Sequence, residues 1–218
     1  MWKRSNPSGE LNWALRNIDL TVRQGATLGI IGRNGAGKST LLHVMRGIMR
    51  PTSGTILVGG RLSALIELGV GFHPDLTGRE NVVINGVLLG LTKDQARERC
   101  ADIIRFAELE DFVDEPISTY STGMYMRLGF SVAIHVNPDI LLIDEVLAVG
   151  DLSFVAKCRE RMMQFKRSGK TIVLVTHDLV TVGSWCDEAL WLHDGLIRMV
   201  GDPGKVIDHY QTEMGKQD

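Results

Sequence analysis

Three glycines, Gly32, Gly35 and Gly37, separate a short apolar run, Thr27-Leu28-Gly29-Ile30-Ile31, from a helix-like segment that starts near Thr40. The stretch Gly32-Arg33-Asn34-Gly35-Ala36-Gly37-Lys38-Ser39-Thr40 fits the pattern G-x-x-x-x-G-K-[ST], and its strand–turn–helix setting is the one a phosphate-binding loop requires. Residues without a Cβ let the backbone curl until its N–H groups converge, and the following helix adds the positive end of its dipole. In such a loop Lys38 reaches the β- and γ-phosphates, Ser39 ligates Mg²⁺ and Thr40 bonds on the α-phosphate side. A nucleoside triphosphate is the expected ligand. The alternative, a Gly-rich turn that binds nothing, leaves the agreement of all fixed positions and both flanking elements to chance.

Composition narrows the partners. Hydrophobic residues make up 44% of the 218 and charged residues 23%, so one or two globular domains with a sizeable core are expected. A net charge of −2 offers no broad basic face, and nucleic acid is therefore not an expected partner. Cys100, Cys158 and Cys186 stand singly, without a C-x-x-C, and read as buried or idle thiols in a reducing compartment. No apolar run reaches the ~18 residues of a membrane span. The start, Met1 to Asn6, lacks the apolar centre of a signal peptide, so the chain reads as soluble and cytosolic, able to dock on a membrane partner.

Along the chain, half-buried alternation predicts a strand over Ala14–Val22, and further strands are expected at Thr55–Val58 and over 62–68. Composition then turns helical. Thr77-Gly78-Arg79-Glu80 and Thr92-Lys93-Asp94-Gln95 read as capping boxes, and an acidic loop, 111–116, precedes a helix over 125–136. Residues 76–136 therefore look like a helical insertion in an α/β frame. That frame resumes with a buried strand at Ile140–Ile143 and a helix over 154–168 that aligns Phe154, Cys158, Met162 and Phe165. A strand at Thr171–Val175 follows, then a hairpin that turns at Asp194-Gly195, then a last helix with Asp202 as cap and Pro203 in its first turn.

Three further groups carry chemistry. Asp144 and Glu145 close the strand that begins at Ile140, where side chains face the ligand crevice of an open α/β sheet. Asp144 suits Mg²⁺ through water, and Glu145 is placed to deprotonate an attacking water. His177 ends the next apolar strand; it reads either as an ordinary loop histidine or as a γ-phosphate contact beside Glu145. In Tyr120-Ser121-Thr122-Gly123-Met124, Ser121 is locally an N-cap. Functionally, the same serine and the flexible Gly123 make a second anion site, one that suits another subunit's nucleotide.

With the loop at Gly32, the Ser121 motif, Asp144-Glu145 and His177 in that order, the chain resembles the nucleotide-binding subunit of an ATP-binding cassette (ABC) transporter over nearly its whole length. The resemblance implies a single ABC ATPase domain: a P-loop NTPase (RecA-like) α/β core with an antiparallel β subdomain over 1–75 and 137–218, and a helical subdomain over 76–136. It implies a homodimer in which Ser121, Thr122, Gly123 and Met124 of one copy close on ATP and Mg²⁺ held by Lys38 and Ser39 of the other. Asp151 then lies in the D-loop at the dimer seam, and His177 is the switch histidine. The family's Q-loop glutamine has no counterpart, with His73 and Glu67 as the nearest candidates, and Trp13 or Trp2 is left to stack on adenine. The signature also departs from Leu-Ser-Gly-Gly-Gln at Tyr120, Thr122 and Met124.

Gly32-Arg33-Asn34-Gly35, Leu76 to Asn81, the Tyr120 motif and Asp144 to Asp151 look like those of bacterial polysaccharide exporters. That subgroup implies an ATPase at the cytoplasmic face of the inner membrane that drives a permease dimer exporting lipid-linked O-antigen, teichoic acid or capsule. The alternatives are a transporter of another substrate and a soluble, non-transport ABC protein. The segment His73–Glu80, with Phe72 as an anchor, is the expected permease contact; otherwise its apolar residues pack inward.

Overall fold

The computed structural model describes residues 13–65, 68–144 and 151–215. Strands and helices alternate as an α/β fold demands, apart from three helices in succession at 78–135 and two strands in succession at 188–201. In chain order they are β1 (Thr27–Ile31), α1 (Lys38–Met45), β2 (Leu62–Leu65), α2 (Gly78–Leu88), α3 (Lys93–Ala107), α4 (Thr122–His135) and β3 (Ile140–Asp144). Then come α5 (Leu152–Arg167), β4 (Thr171–Val175), α6 (Leu179–Trp185), β5 (Glu188–His193), β6 (Leu196–Gly201) and α7 (Pro203–Met214). These elements form two compact units. One holds the described residues up to Leu57 together with those from Val173 onward; the other runs from Val58 to Ile172.

In the first unit the strands lie in the order β4-β1-β5-β6. All five residues of β1 and of β4 are buried, as continuous apolar runs require when both faces of a parallel sheet are covered. β1 pairs parallel with β5, and β6 returns antiparallel. The return uses Asp194 and Gly195 at φ 48° and 72°, the two positive angles of a tight hairpin turn and the turn expected from sequence. Helix α7 begins at Pro203 behind the Asp202 cap and sets Tyr210 edge-on against Trp191, ring centres 5.7 Å apart.

In the second unit β2 and β3 pair parallel, from Leu62 opposite Ile140 to Leu65 opposite Ile143. Helices α2, α3 and α4 close on Val82, Ile103, Ile104, Leu128 and Val132. Phe106, Phe130 and Phe154 form an aromatic knot in which Phe106 lies 6.3 Å from Phe130 and 5.8 Å from Phe154. Phe154, Cys158, Met162 and Phe165 are the buried face of α5, as their spacing predicts. Both capping boxes form: Thr77 with Glu80 at α2, and Thr92 with Gln95 at α3.

Two strand expectations differ from the structure. Residues 14–22 and 55–58 carry no strand among the described residues. Ile18, Leu20 and Val22 do alternate with more exposed neighbours, but alternation sets only which side chains face inward, whereas a strand also needs a partner backbone. Leu57 shows why a short apolar run is a weak signal, for it is 97% exposed. Phe72 also resolves to the inward alternative. It packs against the helical core, with its ring edge-on to Tyr125 at 5.2 Å.

Candidate nucleotide-binding site

The phosphate loop joins buried β1 to α1 in the first unit. A Cβ on Gly32 would lie 2.2 Å from the Leu192 carbonyl oxygen, and one on Gly37, at φ 103°, would lie 2.7 Å from that of Ala14. Only glycine fits either position, so the loop is pressed against β5 and against the chain that follows Trp13. The Ala36 carbonyl accepts the Gly195 N–H at 3.0 Å, and the Gly195 carbonyl accepts from Arg16 at 2.8 Å, which ties the hairpin tip to the loop. A cleft lined by Arg33, Asn34, Ala36, His193 and Asp194 opens beside it.

Lys38 folds back over the loop, its Nζ donating to the carbonyls of Gly32 at 2.7 Å and Arg33 at 2.9 Å. The ammonium therefore stands at the mouth of the curl. Behind it, α1 starts differently from the other described α-helices. Thr77, Thr92, Ser121, Asp151, Asp178 and Asp202 each cap a helix with a side-chain oxygen. Gly37 gives α1 none, and its first turn holds no acidic residue. A helix start with no capping side chain and no acidic residue in its first turn is one at which the helix dipole favours a phosphate. Ser39 is exposed in that turn and Thr40 half-buried.

His177 belongs to the same unit. It follows β4, and the preceding Thr176 donates its N–H to the carbonyl of Ile30, near the end of β1, at 3.3 Å. The exposed imidazole and the phosphate loop thus leave neighbouring strand ends. Asp178, the cap of α6, accepts from the Thr181 hydroxyl at 2.5 Å, from the Thr181 amide at 3.2 Å and from the Val180 amide at 3.0 Å. These bonds, the Thr181 hydroxyl foremost, hold its carboxyl below the usual carboxylate range. Trp13, 47% exposed, directly precedes the residue packed on Gly37. Trp2 lies outside the described residues.

The other predicted residues belong to the second unit. Asp144 ends β3, half-buried after three buried apolar residues. Ser39 in the first unit offers a hydroxyl and Asp144 in the second a carboxylate, each an oxygen donor of the kind Mg²⁺ takes. Glu145 lies outside the described residues, as does Glu67. Ser121 caps α4: its Oγ accepts the Met124 N–H at 3.2 Å and its carbonyl accepts from Tyr125 at 3.0 Å. The local expectation of an N-cap is met, and Ser121 and Thr122 remain exposed. Asp151 caps α5 through Ser153 and Phe154, and these bonds, the Ser153 hydroxyl first, lower its pKa.

His73, by contrast, is an exposed side chain on a rigid backbone. Sequence reasoning missed what holds that backbone, the fully buried Asn81. The only signal is an amide among the apolar positions of α2.

The chain matches the ABC transporter family over residues 15–148, more than half its length. It belongs to the ABC transporter family. The cassette is 57% identical over 209 residues to the O-antigen export system ATP-binding protein RfbB of Myxococcus xanthus, covering 96% of this chain and 48% of that protein. To the protein of the same name from Klebsiella pneumoniae it is 47% identical, over 92% of this chain and 82% of that one. The teichoic acids export ATP-binding protein TagH of Bacillus anthracis is 44% identical, and the cassette spans 38% of its length. Among solved structures, the ATP-binding subunit of an ABC transporter superposes with a TM-score of 0.79 at 26% identity, covering 91% of this chain and 87% of that one. A dimeric cassette in a post-hydrolysis state bound to ADP and Pi gives 0.75 at 24% identity, with 89% and 92% covered; at that identity the likeness concerns the fold alone. The P-loop NTPase class expected from sequence is the fold of this cassette.

Proposed function

We propose that this cassette binds and hydrolyses ATP to power a membrane permease that exports a lipid-linked polysaccharide. The observation that carries the reading is the 57% identity, across 96% of the chain, to an O-antigen export ATP-binding protein. The uncapped α1 start and the glycine-only curl beneath Lys38 support the nucleotide half of it.

In this reading the loop N–H groups and Lys38 cradle the phosphates, and Lys38 exchanges its carbonyl partners for phosphate oxygens. Trp13 stacks on adenine. Ser39 and Asp144 would hold Mg²⁺, which when bound would supply positive charge to the β- and γ-phosphates. Glu145 takes the proton of the attacking water, and His177 orients that water against the γ-phosphate. Two copies pair head to tail, so that Ser121, Thr122, Gly123 and Met124 of one meet the nucleotide of the other, with Asp151 at the seam. His73 is the remaining described candidate to sense the metal and the permease. Among the described residues no helix is long and apolar enough to cross a membrane, which suits a subunit seated on the cytoplasmic side of a separate permease.

The test is made in cells. Deleting the gene should remove the polysaccharide from the surface and leave its lipid-linked form inside. The parent gene should restore export, whereas Lys38→Ala should not. Surface polysaccharide at parental levels in the deletion would contradict the assignment.

A further inference from the structure

We infer that Tyr120 is a positioning residue, its ring filling the space left by Gly78 so that Ser121 is fixed to the segment 74–79. The inference rests on the reading above that Ser121 meets a nucleotide. Gly78 opens α2 and is buried, and its backbone angle is not among the positive ones. Its lack of a side chain therefore serves space and not conformation. A Cβ there would lie 2.2 Å from the Tyr120 Oη, 3.2 Å from its Cζ and 3.1 Å from the Val113 carbonyl oxygen. Tyr120 is held at two points: its Oη donates to the Phe112 carbonyl at 2.8 Å and its N–H to that of Ile117 at 3.0 Å. The next residue is Ser121.

The ring sits at the end of a stiff junction. Four backbone bonds join 74–79 to 113–118: Gly78 to Glu115 at 3.2 Å, Arg79 to Val113, Ile117 to Leu76 and Ser118 to Pro74, the last three at 3.0 Å. Arg79 adds two contacts to Asp114, at 2.8 and 3.1 Å. Bonds and an ion pair at successive positions resist sliding, so a displacement of 74–79 carries Tyr120 with it, and Ser121 with Tyr120. A leucine at 120 has no Oη for Phe112 and leaves the Gly78 space unfilled. The departure from the usual signature and the glycine of the Thr77-Gly78-Arg79-Glu80 capping box are thus two halves of one contact.

The experiment exchanges the sizes of the two partners. The amides of Met124 and Tyr125, both bonded to Ser121, report its position through hydrogen exchange, whether or not ATP turns over. Gly78→Ala should speed their exchange by about tenfold and leave β1 unchanged, and the double variant Gly78→Ala/Tyr120→Leu should return them to within about threefold of the parent. In an active parent, Gly78→Ala should also lower ATP turnover by about tenfold while a single copy binds nucleotide as before, with the double variant regaining turnover.

Unchanged exchange in Gly78→Ala, or exchange not restored by Tyr120→Leu, overturns the positioning role. So does full turnover by Gly78→Ala in an active parent. If exchange behaves as expected and the parent hydrolyses no ATP, the ATPase reading falls and the Tyr120–Ser121 relationship stands. Should Gly78→Ala fold poorly, Tyr120→Phe keeps the ring and removes only the bond to Phe112. It should speed Met124 exchange by about threefold, and no change there overturns the inference.

Discussion

Asn81 holds the peptide of His73 from both sides: its Oδ1 accepts the His73 N–H at 2.7 Å and its Nδ2 donates to the His73 carbonyl at 3.1 Å. The same Nδ2 lies 3.0 Å from the Leu76 carbonyl and 2.9 Å from that of Thr77, so one buried amide organises the entry to α2. Removing it strands several polar groups at once. Asn81→Ala should lower stability on the order of 2 kcal/mol, read as a shift of the urea midpoint. Asn81→Asp should cost at least as much at neutral pH, because it turns a carboxylate toward three carbonyl oxygens. Parental stability in Asn81→Asp would show that the amide donors contribute nothing.

Gly37→Ala tests the loop itself. The new Cβ meets the Ala14 carbonyl at 2.7 Å, and the residue must adopt φ 103°, which alanine resists. Affinity for ATP, measured by calorimetry, should fall by about tenfold or more, since both strains distort the N–H groups that face the phosphates. Gly35→Ala is the comparison, because a Cβ there meets nothing within 4 Å although its φ is 83°. It should cost less than Gly37→Ala. Equal binding by Gly37→Ala and the parent would mean that the curl is not the phosphate site.

The features legible in the sequence were the local ones. The phosphate loop, both capping boxes and the Asp194-Gly195 turn depend on residues within a few positions of one another, so their spacing alone specifies them. Helices α4 and α5 begin earlier than periodicity suggests because Ser121 and Asp151 cap them, and a cap precedes the apolar pattern it serves. What escaped was non-local. The Gly78–Tyr120 contact joins residues far apart in the chain, and each alone reads as a helix start or a variant signature. Phe72 in a Gly-rich apolar stretch reads equally as an anchor or as core, and only the Tyr125 ring decides it. Asp144 reads from its place at a strand end and Ser121 from its place before a helix, and neither place says anything of the distances between such residues.

The Arg79–Asp114 pair gives a pH-dependent signature. The Arg79 hydrogen bonds, foremost, hold the Asp114 carboxyl below its ordinary value. A depressed folded-state pKa contributes stability that is present above the unfolded value, about 4, and is lost as pH falls through the folded one. Both side chains are largely exposed, so the visible effect is local. In Arg79→Ala the Asp114 carboxyl should titrate at a higher pH than in the parent, followed by NMR of the side-chain carbon. An unchanged titration would show that the pair does not form in solution.

Turnover by Glu145→Gln tests ATP hydrolysis most directly. With ATP and Mg²⁺, the purified parent should release phosphate catalytically. Glu145→Gln should bind ATP with parental affinity, because Lys38, Ser39 and Asp144 remain, and should release phosphate ~10²–10⁴-fold more slowly for want of a base. Release within a few-fold of the parent would contradict the role of Glu145. A parent that holds ATP and never cleaves it would contradict hydrolysis itself.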